Sequence, residues 1–260
     1  MRLLEARDLS IGYGSAKIAT GLDLSLNANT VTCLLGPNGI GKTTLFKTLL
    51  GLIPPLAGTI RIRGEDLAGL DRPAIARHIA YVPQAHTAEF AYTVLDLVVM
   101  GRTAYLGAFS APRTVDYAAA MNALDMLGIA SLAERDSTRI SGGQRQLTLI
   151  ARALAQQARI IMMDEPTASL DLGNRILVLD TIRALAKNGL AVVLSTHEPE
   201  QAFVAADQVA VLGQDNRFIT GPVNAVLTSK ELSLLYGVDL LVERTPLGRF
   251  VVGPAASSPQ

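Results

Sequence analysis

Eight residues near the start of the chain and two farther along have the types and spacing to handle the phosphates of a nucleotide. Gly36-Pro37-Asn38-Gly39-Ile40-Gly41-Lys42-Thr43 satisfies the pattern G-x-x-x-x-G-K-[ST], after the apolar run VTCLL and before the helical run TLFKTLLGL. Glycines there let the backbone wrap phosphates with its N–H groups pointing inward, and the following helix adds the positive end of its dipole. Lys42 can neutralise β- and γ-oxygens, Thr43 can ligate Mg²⁺, and Thr44 stands in the first turn of the helix. The second group is Asp164-Glu165, directly after Ile160-Ile161-Met162-Met163. A strand ending in two carboxylates delivers them where open α/β sheets place ligands. Position divides their roles: Asp164 can hold Mg²⁺, and Glu165, one residue on, can polarise an attacking water as general base.

Both groups need a frame. Short runs rich in Val, Ile and Leu alternate with longer helical patterns, the order of an α/β domain with a mainly parallel sheet. Strands are predicted at 31–35, 59–62, 79–82, 160–163, 191–195 and 208–212. The stretch 59–62 alternates, with Ile60 and Ile62 on one face and Arg61 and Arg63 on a solvated one. Residues 94–155 turn helical, broken by a loop with Gly, Pro and Arg at 101–113 and resuming at 115, which reads as a helical insertion between two halves of the sheet. Cys33 reads as a small buried strand residue, and Met162 and Met163 as core. His78 and His86 lack partner spacing for a metal and read as surface residues. The tail from residue 255 is small and polar and is expected to fray.

Composition bounds what this frame serves. A length of 260 residues leaves ample material for a hydrophobic core, so disorder is excluded. Mean hydropathy is +0.31, yet the longest unbroken apolar runs are five residues, where a spanning helix needs about 20. Lys plus Arg and Asp plus Glu each number 23, so no global field draws the chain to nucleic acid, and no nucleic-acid partner is expected. The single cysteine excludes an intrachain disulfide, and the opening residues hold no apolar block of signal-peptide length, so a reducing cytosolic setting is expected.

Further motifs carry a family resemblance. Ile140-Ser141-Gly142-Gly143-Gln144, followed by RQLTLIARAL, resembles the signature motif of ATP-binding cassette (ABC) ATPases, and it precedes the acidic pair as it does there. Tyr13 in IGYG resembles the aromatic that stacks on adenine, Gln84 in YVPQ the glutamine of the Q-loop, Ser169-Leu170-Asp171 the D-loop, and His197 in LSTHEP the switch histidine. The motifs follow the family order over residues 4–212. Ile140 stands where the family usually has Leu and Ile40 where it has a small residue; both are apolar swaps outside the groups that touch phosphate.

The resemblance implies a P-loop NTPase fold: a RecA-like α/β core with a mainly parallel sheet, an N-terminal antiparallel β subdomain and an inserted helical subdomain. It implies a single ABC ATPase domain over 1–260, with 1–85 and 156–212 as ATP-binding core, 86–155 as helical subdomain and 213–260 as C-terminal segment. ATP and Mg²⁺ are the implied cofactors. By carry-over, Tyr13, Gly36, Pro37, Asn38, Gly39, Gly41, Lys42, Thr43 and Thr44 bind ATP, as do Ser141, Gly142, Gly143, Gln144 and Asp171; Thr43, Gln84 and Asp164 hold the metal; and Glu165, His197, Gln84 and Lys42 act in catalysis. The residues agree with part of this by themselves, since Ser141, Gly142 and Gly143 open a helix and make a second anion-binding helix start in one chain. In the family two copies pack head to tail, the signature of one capping the ATP of the other, so a homodimer is expected.

A cassette without spanning segments implies a separate permease, hence an importer. The stretch LDLVVMGRTAYLGAFSAP, with LDLGN downstream, resembles the ATPases that drive uptake of iron chelates such as siderophores, whose relatives serve haem, cobalamin and molybdate. Residues 84–92 and the loop 101–113 are expected to line the groove that receives a permease helix, with Phe90 and Tyr92 as apolar anchors. A substrate-binding protein would be an indirect partner, and the cytoplasmic face of a bacterial or archaeal plasma membrane the location. The rival is a soluble ABC ATPase of the iron–sulfur assembly type, whose members usually carry SGGE rather than the SGGQRQLTLIARAL found here.

Overall fold

The computed structural model describes residues 1–84, 91–107 and 110–255. Two long antiparallel strands open the chain, β1 (Arg2–Tyr13) and β2 (Ala16–Asn27), burying Leu4, Leu9, Ile11, Leu22 and Leu26 on one face. β3 (Thr30–Leu35) then runs through the glycine-rich loop into α1 (Lys42–Leu49). β4 (Ala57–Ile62) and the short β5 (Glu65–Asp66) return to the first sheet, ordered β2-β1-β4-β5 and antiparallel throughout.

The chain continues through α2 (Arg72–His78), β6 (Ile79–Val82), α3 (Val94–Val99), α4 (Thr114–Met126), α5 (Gly142–Ala155) and β7 (Ile160–Met163). After these come α6 (Leu172–Lys187), β8 (Ala191–Thr196), α7 (Pro199–Ala205), β9 (Gln208–Leu212), β10 (Phe218–Pro222), α8 (Val223–Val226), α9 (Ser229–Tyr236), β11 (Leu240–Arg244) and β12 (Phe250–Pro254). The second sheet is ordered β10-β9-β3-β8-β7-β6, parallel except for β10, and β11 pairs with β12 as a separate hairpin. Its central strands are buried on both faces, which is why they read as unbroken apolar runs. In β7, Ile161 and Met163 face the helices while Ile160 and Met162 face the side shared with α1 and the antiparallel sheet.

The runs at 79–82, 160–163 and 208–212 coincide with β6, β7 and β9, and those at 31–35 and 191–195 lie within β3 and β8. The stretch 59–62 falls in β4 on the antiparallel sheet; its alternation, with Ile60 and Ile62 buried and Arg61 and Arg63 exposed, fits a sheet covered on one face only. The pattern reading places no strand over β1 or β2: in β1 register shifts between Ala6 and Leu9 and again before Tyr13 break the alternation, whereas β2 keeps it over Leu22–Asn27, with Leu22, Leu24 and Leu26 buried and Asp23, Ser25 and Asn27 exposed, a legible signal that this reading passes over. Cys33 is buried, and burial pushes its thiol up to about 12. His86, Phe90 and residues 256–260 lie outside the described residues.

The loop expected at 101–113 needs correction at its start. Met100–Tyr105 is a 3₁₀ turn that buries Gly101 and Arg102. A Cβ at Gly101 would sit 2.1 Å from the Arg152 carbonyl oxygen, so glycine permits the close approach to α5. Arg102 donates from Nε to Asp116 Oδ1 at 3.1 Å and from Nη1 to the Ala155 carbonyl at 2.8 Å and Gln157 Oε1 at 2.9 Å, with its guanidinium 4.0 Å from the Tyr105 ring centre. One arginine thus pins the turn to both α4 and the end of α5. Removing one member of a buried pair strands the other charge, so Arg102→Met is expected to lower unfolding free energy by about 3–5 kcal/mol in urea denaturation; a loss within error of zero would show the pin to be dispensable.

Candidate active site

The glycine loop is built by conformations that only glycine adopts at low cost. Gly39 and Gly41 have φ of 79° and 115°, and a Cβ on Gly41 would meet Ile18 Cγ2 at 2.5 Å. At Gly36 the obstacle is backbone, the Leu212 carbonyl oxygen 2.5 Å from an added Cβ. Gly41 is the N-cap of α1 and supplies no side-chain acceptor, so first-turn N–H groups are left for an anion. Lys42 is buried and donates from Nζ to the Gly36 carbonyl at 2.7 Å and the Pro37 carbonyl at 3.0 Å. Burial lowers its pKa, and the carboxylates of Glu165 and Asp164 oppose that fall.

β7 ends opposite this loop. Asp164 is buried, and three hydroxyls donate to it: Thr43 to Oδ2 at 2.9 Å, Tyr81 to Oδ2 at 3.3 Å and Ser195 to Oδ1 at 2.5 Å. Burial first, then Asp164, pushes the Tyr81 phenol up to about 12, so it remains a donor at neutral pH. Glu165 turns sharply off the strand with φ of 46°, and its N–H donates to Ser195 Oγ at 3.0 Å. Its Oε1 lies 3.3 Å from His197 Nδ1 and 3.7 Å from Lys42 Nζ. A pocket of about 340 Å³ gathers the groups: Asn38, Gly39, Gly41, Lys42, Thr43, Thr44, Gln84, Asp164 and Glu165 line it.

These donors suit a particular ion. A hydroxyl, a carboxylate and an amide converge on one pocket, and a hard cation that keeps several waters and takes phosphate oxygens, as Mg²⁺ does, fits them. Among the described residues no cluster of three or more His, Cys, Asp or Glu forms a closed protein cage for a metal.

Other sequence-predicted residues lie elsewhere. Tyr13 ends β1 at a hairpin, 50 % exposed, and does not line the pocket. Ser141 caps α5, accepting from the Gln144 N–H at 3.2 Å while Gln144 Oε1 accepts from the Ser141 N–H at 3.0 Å, a reciprocal capping box. Asp171 caps α6 through the Asn174 N–H at 2.8 Å, and that hydrogen bond holds its carboxyl below the usual range. Asn174 joins the two helix starts, because a Cβ on Gly143 would fall 2.0 Å from its Oδ1. Ser141, Gly142 and Asp171 are exposed, and none of residues 141–144 or 171 lines the phosphate pocket.

Sequence reasoning missed three residues that organise the site: Tyr81, Ser195 and Tyr236. Ser195 had a usable signal, a hydroxyl near the end of the otherwise apolar run AVVL. Tyr81 and Tyr236 had none, since their partners depend on strand order and on a distant helix. The Tyr236 hydroxyl donates to the His197 carbonyl at 2.7 Å.

Comparison with known proteins adds the following. A family model for ABC transporters matches residues 19–168, more than half of the chain. An uncharacterised ABC transporter ATP-binding protein of Haemophilus influenzae is 46 % identical over 90 % of this chain and 89 % of its own. The molybdate import ATP-binding protein MolC of the same species is 39 % identical over 86 % and 83 %, and a probable iron chelatin transport ATP-binding protein of Helicobacter pylori 37 % over 92 % and 94 %. A solved inward-facing ABC transporter of metal-chelate type superposes with a TM-score of 0.86 at 35 % identity, over 97 % of this chain and 96 % of that one.

The bridging position of Ser195 generates a prediction. Ser195→Ala removes a donor to Asp164 and an acceptor for the Glu165 N–H, loosening both carboxylates. The Mg²⁺ concentration giving half-maximal nucleotide hydrolysis is expected to rise about 10–100-fold, read from phosphate release in a magnesium titration. An unchanged titration midpoint would remove Ser195 from the positioning of Asp164.

Proposed function

Because the chain belongs to the ABC transporter ATPase family and hydrolyses ATP, we propose that it energises an importer, working as a head-to-tail homodimer beneath a separate membrane permease to drive uptake of a metal chelate. The observation that carries this reading is the division of phosphate chemistry within one chain. A complete phosphate pocket lies at the start of α1, and a second exposed glycine-led helix start, at α5, does not line it. Two copies related head to tail bring each α5 start to the other's pocket.

In this reading the loop N–H groups and Lys42 bind the β- and γ-phosphates, with Tyr13 stacked on the adenine. Thr43, Asp164 and Gln84 hold Mg²⁺, which when bound neutralises charge on the phosphate oxygens. Glu165 takes the proton of the attacking water. His197, 3.3 Å from Glu165, orients that carboxylate and faces the γ-phosphate with its other nitrogen. Across the dimer, Ser141, Gly142, Gly143 and Gln144 present the α5 start to the γ-phosphate, and Asp171 lies beside them. Leu172, 70 % exposed at the start of α6, supplies apolar area to the same face.

The permease reading has its own support. No helix among the described residues is long and apolar enough to cross a membrane. A largely apolar groove of about 390 Å³ opens between the end of α1, α2 and α5, lined by Leu52, Ile75, Met100 and Tyr81 among others. Tyr81 also donates to Asp164, so a permease helix seated there would touch a residue bonded to the metal-site carboxylate. We place the dimer on the cytoplasmic face of a bacterial or archaeal plasma membrane, with a substrate-binding protein delivering cargo on the far side. The metal-chelate neighbour and the iron chelatin relative favour a ferric siderophore; the MolC relative makes molybdate the second reading, with haem and cobalamin behind it.

Two experiments test this. Glu165→Gln keeps the shape of the side chain but cannot take a proton, so steady hydrolysis is expected to fall about 10²–10⁴-fold while ATP binding persists and ATP shifts the protein to a dimer in size-exclusion chromatography. Normal turnover would remove Glu165 as base. For cargo, deletion of the gene is expected to abolish uptake of radiolabelled ferric siderophore and spare molybdate and cobalamin; loss of molybdate uptake alone would reassign the substrate and leave the ATPase intact.

A further inference from the structure

The proposed mechanism uses nothing beyond His197, yet the C-terminal segment reaches back to that residue. α9 ends at Tyr236, where Gly237 takes a left-handed φ of 71° and turns the chain away. The Tyr236 hydroxyl donates to the His197 carbonyl at 2.7 Å, across 39 positions of sequence. Burial of the phenol pushes its pKa up, with the charges of Glu200 and Glu198 adding to the effect, so the hydroxyl keeps its proton.

His197 depends on its backbone for orientation. Its ring has a protein partner at Nδ1, Glu165 Oε1 at 3.3 Å, and none at Nε2 among the described residues, and the side chain is 41 % exposed. A ring so lightly held points where its backbone directs it. The residues that follow are well fastened: Glu198 pairs with Arg175 Nη1 at 2.9 Å, and the Gln201 amide oxygen accepts from the Thr167 hydroxyl at 2.8 Å. The carbonyl of residue 197 itself is held by Tyr236.

Tyr236 is in turn held in register. The Ser233 and Ser229 hydroxyls accept the N–H groups of Leu240 and Val242 at 2.9 and 2.8 Å, tying α9 to β11. Phe250 of the paired strand stacks on Phe203 of α7, with ring centres 4.7 Å apart and planes 16° from parallel. The hairpin therefore rests on the helix that begins two residues after His197, and it fixes α9 against the same segment.

We propose that Tyr236 is a positioning residue for ATP hydrolysis: its hydroxyl fixes the His197 carbonyl and thereby aims the imidazole at Glu165 and the γ-phosphate. The inference rests on the reading of His197 as a group acting at the γ-phosphate. The test compares the full-length wild type with Tyr236→Phe, Tyr236→Leu and His197→Ala in Mg²⁺-dependent ATP hydrolysis, with ¹⁵N-histidine spectra of each. The Phe variant keeps the ring packed on the core and loses only the donor. The expected result is a fall in kcat of roughly tenfold in Tyr236→Phe, equivalent to one lost hydrogen bond, with KM for ATP unchanged and a shift in the imidazole signals that vanish in His197→Ala. Wild-type kcat in Tyr236→Phe with a defect only in Tyr236→Leu would assign the residue to packing and overturn the proposal. A fall in kcat with unmoved His197 signals, or a change confined to KM, would overturn it as well. Full turnover in His197→Ala would overturn the underlying role of His197, an outcome distinct from normal turnover in Tyr236→Phe beside an inactive His197→Ala.

Discussion

Asp164 is a carboxylate held nearly out of solvent, and a charge in that position is tolerable only if its lone pairs are filled. The hydroxyls that fill them come from Thr43 at the start of α1, Tyr81 on β6 and Ser195 on β8. No two of these elements are adjacent in sequence; they meet because β7 lies between β8 and β6 in the parallel sheet. The same bonds draw the glycine loop against the acidic strand, since Thr43 belongs to the helix that the loop opens. Strand order, loop placement and the hydrogen bonding of Asp164 are therefore one problem with one solution.

Glu165 sits in a different electrostatic setting one residue away. Its φ of 46° costs of order 1–2 kcal/mol for a side chain with a Cβ, and the Ser195 hydroxyl receives its N–H in that turn. The turn carries the carboxylate away from the Asp164 network toward Lys42 and His197, where its pairings are long, at 3.7 and 3.3 Å. Its carboxylate stands outside the hydroxyl network that fills the Asp164 lone pairs. Neighbouring acids on one strand end are thus separated in surroundings by a single backbone turn.

The outward faces follow from the same core. The starts of α5 and α6 pack against one another where Asn174 meets Gly143 and leave Ser141, Gly142 and Leu172 toward solvent, while the apolar groove beside α1 and α5 is lined in part by Tyr81. Tyr81 on the groove wall is one hydrogen bond from Asp164, and Gly143 at the start of α5 packs on Asn174 of α6.

The sequence alone was enough for whatever depends on local chemistry. A phosphate loop must be glycine-rich, must follow a strand and must open a helix, so residues 36–44 declare themselves; doubly buried strands must be apolar runs, so β6, β7 and β9 have legible limits. Ser141 and Asp171 were legible as motif residues, and both turn out to cap helices. Only the tertiary structure decided which residues meet across distance. β1 escaped because register shifts erase its two-residue period, although β2 keeps that period in Leu22, Leu24 and Leu26, and the 3₁₀ turn around Arg102 escaped because a glycine and an arginine read as loop until α4 and α5 enclose them. Tyr81 and Tyr236 lay hidden for a related reason: a hydroxyl's partner is set by which strands and helices pack side by side, and that adjacency follows from burying whole faces of the sheet rather than from any residue's neighbours in the chain.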